Sequence, residues 1–432
     1  MSIRKKLLPG LLGCLFILAL SQSLPAAEYN YPIKDPIAAT ILGTPLKYRA
    51  ELPEKIRVKE YETIEIFPER QVPEVFWYNR ELRYSVAWHK KEAPLVAIIA
   101  GTGAGYDSGK MKDLQKIFYK AGFHVLCLSS PTHPNFVVAA SESSMPGDSR
   151  ADAADLYRVM EKIWQQSSKK ELVSGFYLCG YSLGAAEAAF VARLDEEKKV
   201  FNFKKVLLLN PPVNIYDSAV RIDRMLVDNI PGGIDNFNKF YNKLIHSISA
   251  TYANGDFVDL SYDFFYHAYR KIVPDPKEGK ALIGFSFRIS LANLIFTADV
   301  MTNRGYIVPK NLKLFKTDSL TDYCKVAAHC QGFEEYAKKL LYPYYRSHGA
   351  ENLSFAEFVE RSSLKNIEDY LKNNPKIGLM TNADDFILGA GDIDWFRRVF
   401  GDRAIIYPYG GHCGNFAYKD NVRDMIDFFQ KQ

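Results

Sequence analysis

The sequence predicts an α/β fold: a mostly parallel central sheet flanked by helices, split by one long helical insertion. Three observations predict it. From residue 94 onward, unbroken apolar runs alternate with segments of helical periodicity, as expected for strands buried on both faces and the helices covering them. The alternation stops after "FKKVLLLNPP" (203–212), and helical patterns without convincing strands continue to 371. It resumes at "KIGLMTNADD" (376–385) and runs to the end.

Taken in order, "YETIEIF" (61–67) and "LRYSVAW" (82–88) alternate enough to be strands, read as an antiparallel start to the sheet. "PLVAIIAG" (94–101) is a buried strand. Met111, Leu114, Ile117 and Phe118 follow at helical spacing, and Gly122 closes that helix. "FHVLCLSS" (123–130) is the next strand, and a polar loop, "PTHPNFVVAASESSMPGD", leads to a helix over 150–166. "GFYLCG" reads as a strand, "LGAAEAAFVARL" as a helix and 203–212 as the sixth strand. Within 213–371, Phe237, Phe240, Tyr241, Leu244 and Ile245 share a helical face, and Ser354 with Glu357 forms a capping box. The apolar stretch 281–301 carries Arg288, Asn293 and Asp299, which predicts a buried helix over a membrane span. After 385 come a helix at 391–399, a strand in "RAIIYPYGGHCG" (403–414) and a last amphipathic helix. The expected organisation is a leader at 1–27, a sheet domain at 28–212 and 372–432, and the helical insertion at 213–371.

Hydrophobic content of 47% and charged content of 24% describe a globular chain, and 432 residues exceed one typical core. The formal charge of +5 includes Arg4, Lys5 and Lys6 of the leader; without them 52 basic residues face 50 acidic ones, which leaves no basic patch for nucleic acid. The leader "MSIRKKLLPGLLGCLFILALSQSLPAAEYN" has a cationic start, an apolar segment and small residues at Ala26 and Ala27, the pattern of a cleaved secretory signal. Pro9 and Gly10 interrupt it, leaving less than the roughly 20 residues a span needs. A periplasmic or secreted protein without a stable membrane span in its mature chain is expected. Of the five later cysteines, Cys127 and Cys179 lie in buried strands. Cys324 and Cys330 would fall on divergent faces of one helix, so they pair only if that helix breaks.

One motif interrupts this pattern. In "FYLCGYSLGAAEAAF" (176–190) an apolar run stops at Ser182, with Gly180 and Gly184 two residues to either side. G-x-S-x-G between a strand and a helix is the setting of a nucleophile on a forced turn, where any side chain at either glycine would collide with backbone. A serine hydroxyl needs a base, and the base needs an orienting acid. "PYGGHCGNF" offers His412 and "TNADDFIL" offers Asp385, with Asp384 as the alternative. For a developing oxyanion, backbone N–H groups are expected from Leu183 and from Thr102 in the loop "AGTGAGYDS" (100–108). Those glycines are spaced G-x-G-x-G, and Tyr106 stands where a dinucleotide loop needs its third glycine. Of the other histidines only His133 could line the site, and a surface role is expected for it. No residue set calls for a metal or cofactor.

"GYSLGA", "AGTGAG", "NADD" and "GGHCG" together resemble the α/β-hydrolase superfamily, over about 56–212 and 372–432. The resemblance implies a triad of Ser182, Asp385 and His412, with Leu183 and Thr102 in the oxyanion hole. Ala100-Gly101 departs from the family's usual His-Gly opening. "NADD" with "GGHxG" is similar to bacterial serine hydrolases in which the second aspartate is the acid, though Phe386 replaces the usual proline. The insertion corresponds to a helical cap after the sixth strand. Its aromatics, Phe264, Phe265, Tyr266, Tyr269, Phe285, Phe287, Tyr342, Tyr344 and Tyr345, are expected to form the cap's own core, with an apolar acyl pocket as the sharper reading. The expected activity is cleavage of a small-molecule or lipid-like carboxylic ester, with thioester or amide in second place, through an acyl-enzyme. An acyltransferase using the same triad and a non-catalytic binding module are the alternatives.

Overall fold

A computed structural model of the chain describes residues 28–56, 59–243 and 276–431. The leader and part of the insertion, including Leu244, Ile245, Phe264, Phe265, Tyr266 and Tyr269, lie outside the described residues. The described residues from Tyr31 onward form one compact unit.

Eight strands make one sheet: β1 (Lys59–Ile64), β2 (Leu82–Ala87), β3 (Ala93–Ile99), β4 (His124–Leu128), β5 (Val173–Tyr181), β6 (Val206–Leu209), β7 (Ile377–Asn382) and β8 (Ala404–Tyr407). Their spatial order is β1-β2-β4-β3-β5-β6-β7-β8. β2 is antiparallel to both neighbours, β1 and β4, and every other pairing is parallel. The early strands thus form the antiparallel start, and the apolar runs from 94 onward occupy the parallel centre. Those central strands are covered on both faces, which is why their sequences lack alternation.

On one face lie α4 (Ser149–Gln166) and α5 (Leu183–Lys198), with the helix Asp392–Phe400 in the same apolar cluster. On the other, α2 (Gly109–Lys120) meets the last helix, Lys419–Gln430, where Phe118 and Phe429 pack edge to face at 5.2 Å. Ala185, Ala186, Ala188 and Ala189 are fully buried, so α5 lies close on the sheet. A Cβ on Gly184 would sit 2.3 Å from the Ile99 carbonyl oxygen and 2.4 Å from that of Ala100. Only glycine permits that approach.

Two short helices were not predicted. α1 (Pro36–Leu42) is capped by Asp35, and α3 (Pro134–Ala139) is capped by His133 within what reads as a polar loop. In both, proline opens a helix too short for periodicity to register.

Between β6 and β7 the described residues of 213–371 contain no strand. α6 (Ile215–Val227) packs on a long helix, Pro276–Thr302, that is long and apolar enough to cross a membrane, with a mean hydropathy of 1.6. That apolar window is 67% buried inside the protein, and its charged residues have internal partners. The Arg288 guanidinium donates from Nε to Asp223 at 2.6 Å and from an Nη to the Ala328 carbonyl at 3.0 Å. The Asp299 carboxylate accepts from the backbone of Tyr306, Ile307 and Val308 at 2.7–2.9 Å. Phe285 and Tyr345 are buried within the insertion, and Phe287, Tyr342 and Tyr344 pack against its clusters. The helix Thr321–Cys330 is unbroken and Cys324 is a free thiol.

Replacing Asp223 with alanine strands a buried guanidinium. The variant is expected to lose about 3–5 kcal/mol of stability, read as a lower urea midpoint with the slope unchanged.

Candidate active site

β5 ends at Tyr181, and the next residue, Ser182, takes φ 54° and ψ −127° before α5 begins at Leu183. A non-glycine residue held there carries strain of about 1–3 kcal/mol, sustained only by its surroundings. The Ser182 N–H donates to the Leu209 carbonyl at 2.8 Å, which pins the turn to the end of β6. A Cβ on Gly180 would fall 2.0 Å from the Gly184 carbonyl oxygen. Both glycines are therefore required by backbone contacts, as the motif predicted.

The turn presents the Ser182 Oγ 2.8 Å from Nε2 of His412, and His412 Nδ1 lies 2.9 and 3.1 Å from the two oxygens of Asp385. Three side chains spread over 230 residues of chain make one continuous relay. The strand order and the sharp turn after β5 match the arrangement expected from the sequence's resemblance to the α/β-hydrolases. Ser182 follows β5, Asp385 follows β7 and His412 follows β8.

No protein-family model matches the sequence, and no curated protein does. Among solved structures, an esterase from Pyrococcus furiosus is 11% identical with a TM-score of 0.41, covering 86% of this chain and 91% of its own. A fungal esterase from Rhizomucor miehei is 11% identical with a TM-score of 0.42, covering 91% and 96%. A thioesterase domain from the curacin biosynthetic pathway is 13% identical with a TM-score of 0.38, covering 85% and 98%.

The two aspartates have different partners. The Asp385 side chain is fully buried; it accepts from Asn210 Nδ2 at 2.8 Å and from the Ile387 N–H at 3.2 Å besides contacting His412. Asp384 instead accepts from the Gly410 and Gly411 N–H groups at 3.1 and 2.9 Å. It ties down the backbone of the histidine loop and, among the described residues, forms no hydrogen bond with the ring. Burial, the largest influence, raises the Asp384 pKa, and the Asp385 charge adds to it against those two N–H groups.

Burial disfavours the charged form of His412, but the Asp385 carboxylate and Cys413 more than offset it, raising the pKa to about 10. The imidazolium–carboxylate pair is favoured at rest, and the neutral ring is the form able to accept a proton from Ser182.

Gly101 lies against the elbow: a Cβ there would be 2.7 Å from the Tyr181 ring and 3.1 Å from the Ser182 Cβ. In the same loop the Gly103 N–H is used by Thr132 Oγ1 at 2.8 Å and the Ala104 N–H by the Gly101 carbonyl at 3.0 Å. Thr102 is exposed, and among the described residues no hydrogen bond engages its amide or that of Leu183. His133 caps a helix. It is half-buried, accepts from the Asn135 N–H through Nδ1 at 3.2 Å, and faces Gly105. Burial, helped by Arg83 and opposed by Asp107, lowers its pKa to about 4, so it caps α3 as a neutral ring.

Several residues that hold the relay carry no sequence signal. The His412 N–H donates to Thr40 Oγ1 of α1 at 2.8 Å, and Thr40 donates in turn to the Pro36 carbonyl at 2.7 Å. Gly411 and Gly414 pack so tightly on α1 that added Cβ atoms would lie 2.1 Å from the Pro36 oxygen and 2.2 Å from the Ala39 oxygen. Tyr31 and Thr44 both donate to the Gly414 carbonyl, at 3.1 and 3.2 Å. Asn382 and Asn415 exchange amide hydrogen bonds, and Asn382 also donates to the Gly411 carbonyl at 2.7 Å. α6 reaches the acid loop from the insertion, where Ser218 and Arg221 both donate to the Ile387 carbonyl.

Thr40→Val leaves the His412 N–H without its acceptor, a cost of about 1–3 kcal/mol for a buried donor. The rate of Ser182 labelling by a fluorophosphonate probe is expected to fall about tenfold or more, with little change in melting temperature.

Proposed function

We propose that the protein is a serine hydrolase that cleaves a carboxylic ester through an acyl-enzyme on Ser182. The observation that carries the reading is the unbroken hydrogen-bond path from Ser182 Oγ through His412 to Asp385. In the first step His412 Nε2 takes the hydroxyl proton while Oγ attacks the substrate carbonyl carbon. The carbonyl oxygen becomes an oxyanion, and the Leu183 and Thr102 amides, with the N-terminus of α5 behind the first of them, supply the compensating hydrogen bonds. Asp385 stabilises the imidazolium that forms. His412 then returns the proton to the departing alkoxide, and the neutral ring activates water to release the acid.

The Phe386 ring centroid is 6.1 Å from that of His412, and Phe386 packs on a cluster containing Ile37, Ile41 and Phe285. This apolar side favours an ester with a hydrocarbon portion, in the manner of a carboxylesterase or lipase, with the insertion as a cap over the site. The N-terminal pattern supports export to the periplasm or beyond. An acyltransferase would share the acyl-enzyme, and product analysis with added alcohols separates the two. A purely binding role would leave the aligned relay without purpose.

Ser182→Ala is expected to abolish fluorophosphonate labelling and to lower kcat on p-nitrophenyl esters by about six orders of magnitude; retained turnover would end the assignment. The kcat/KM of the wild type should rise with pH as His412 loses its proton. In Asp385→Asn the anion that raises the histidine pKa is gone. The rising limb therefore moves to lower pH, and the plateau drops by roughly four orders of magnitude.

A further inference from the structure

We propose that one surface of the insertion docks the protein on an anionic lipid surface. Its centre is the loop "KNLKLFK", 310–316, in which Leu312 and Phe315 are 48% and 50% exposed while Leu314 between them is buried. Lys310, Lys313 and Lys316 alternate with them, all exposed, and none forms an ion pair among the described residues. The one acid within 310–318 is Asp318, whose carboxylate accepts from the Phe315 N–H at 2.8 Å.

The loop is held in this conformation. Asn303 and Asn311 exchange two hydrogen bonds at 2.9 and 3.0 Å, and Asp299 fixes the three residues from Tyr306 to Val308. The apolar side chains therefore face outward from a braced loop. A second exposed pair, Trp77 and Tyr78, is 63% and 51% exposed, with rings edge to face at 5.8 Å. They follow Val75 and Phe76, which are buried in the same cluster as Val308, Leu314 and Phe296. One buried cluster thus brings both exposed sets to the surface around it, with Glu74 as the acid on the second element.

The composition selects the partner. Protein–protein interfaces are depleted in lysine, whereas a lipid headgroup layer rewards lysine beside apolar side chains that enter the acyl boundary. Tryptophan and tyrosine, with one polar edge on an apolar body, favour the same depth. Anionic headgroups complement the lysine excess of the loop. Docking there would bring a protein that cleaves hydrophobic esters to where such esters partition. The surface itself is argued independently of the catalytic reading.

The test is co-sedimentation of the full chain with vesicles of phosphatidylcholine alone or mixed with phosphatidylglycerol, at low and high salt. Every variant shares residues 1–27, so differences between variants report the surface. Wild type is expected to bind the mixed vesicles preferentially and to release in high salt. Each lysine neutralised costs about fivefold in partitioning, so the triple variant Lys310→Gln, Lys313→Gln, Lys316→Gln should bind on the order of a hundredfold more weakly. The double variant Leu312→Ser, Phe315→Ser should also lose binding, and Trp77→Phe should remove a blue shift of tryptophan emission on vesicle addition. All variants should keep wild-type turnover of a water-soluble p-nitrophenyl ester, which shows that they fold. Equal binding to neutral and anionic vesicles, variants that bind like wild type, or a surface that instead drives dimerisation in sedimentation velocity would overturn the proposal. Loss of soluble-ester turnover in Ser182→Ala with docking intact concerns the catalytic reading alone.

Discussion

The constraint on which the site depends is the backbone of Ser182. Its φ of 54° is costly for an L-residue, and it is held because Gly180 and Gly184 let three backbone segments meet where side chains would collide. The end of β5, the start of α5 and the carbonyls of Ile99 and Ala100 close on one another there. The Leu209 carbonyl then fixes the Ser182 N–H. A sharp turn aims the hydroxyl away from the sheet, and the fully buried alanines of α5 keep the helix that follows from pushing it outward.

The imidazole lies within hydrogen-bond reach of that hydroxyl, and much of the remaining structure keeps it there. His412 sits in a glycine-rich loop with no regular structure of its own, gripped from three directions. Asp384 holds its approach, the Asn382–Asn415 pair holds its base, and α1 with Tyr31 and Thr44 lies against its outer side. The acid loop is held by Asn210 from the sheet and by Ser218 and Arg221 from the insertion. α6 therefore belongs to the scaffold of the relay as well as to the block above it. The glycines at 411 and 414 are needed because the backbone of α1 packs within contact distance of them, and Gly410 because the side chains of Asn415 and Asn382 do.

The long helix Pro276–Thr302 shows how composition misleads when read without partners. By hydropathy it could cross a membrane, yet it packs on α6 and buries its charges against Asp223 and three backbone N–H groups. Arg288 and Asp299 gave the correct reading from sequence, since each marked a place where the interior had to supply a partner.

The sequence by itself determined the parallel strands, the elbow and the chain order of serine, acid and histidine. Those signals are local: an unbroken apolar run, two glycines flanking a serine, a histidine in a glycine turn. Tertiary structure decided which of two adjacent aspartates faces the ring, because neighbours at 384 and 385 point to opposite sides of one turn and only the position of β8 tells them apart. It also decided that Thr40, some 370 residues from His412, holds the histidine loop, and that the half-buried His133 caps a helix. Such roles depend on hydrogen bonds between segments distant in the chain, and no periodicity along a sequence records which carbonyl or hydroxyl a folded loop will meet.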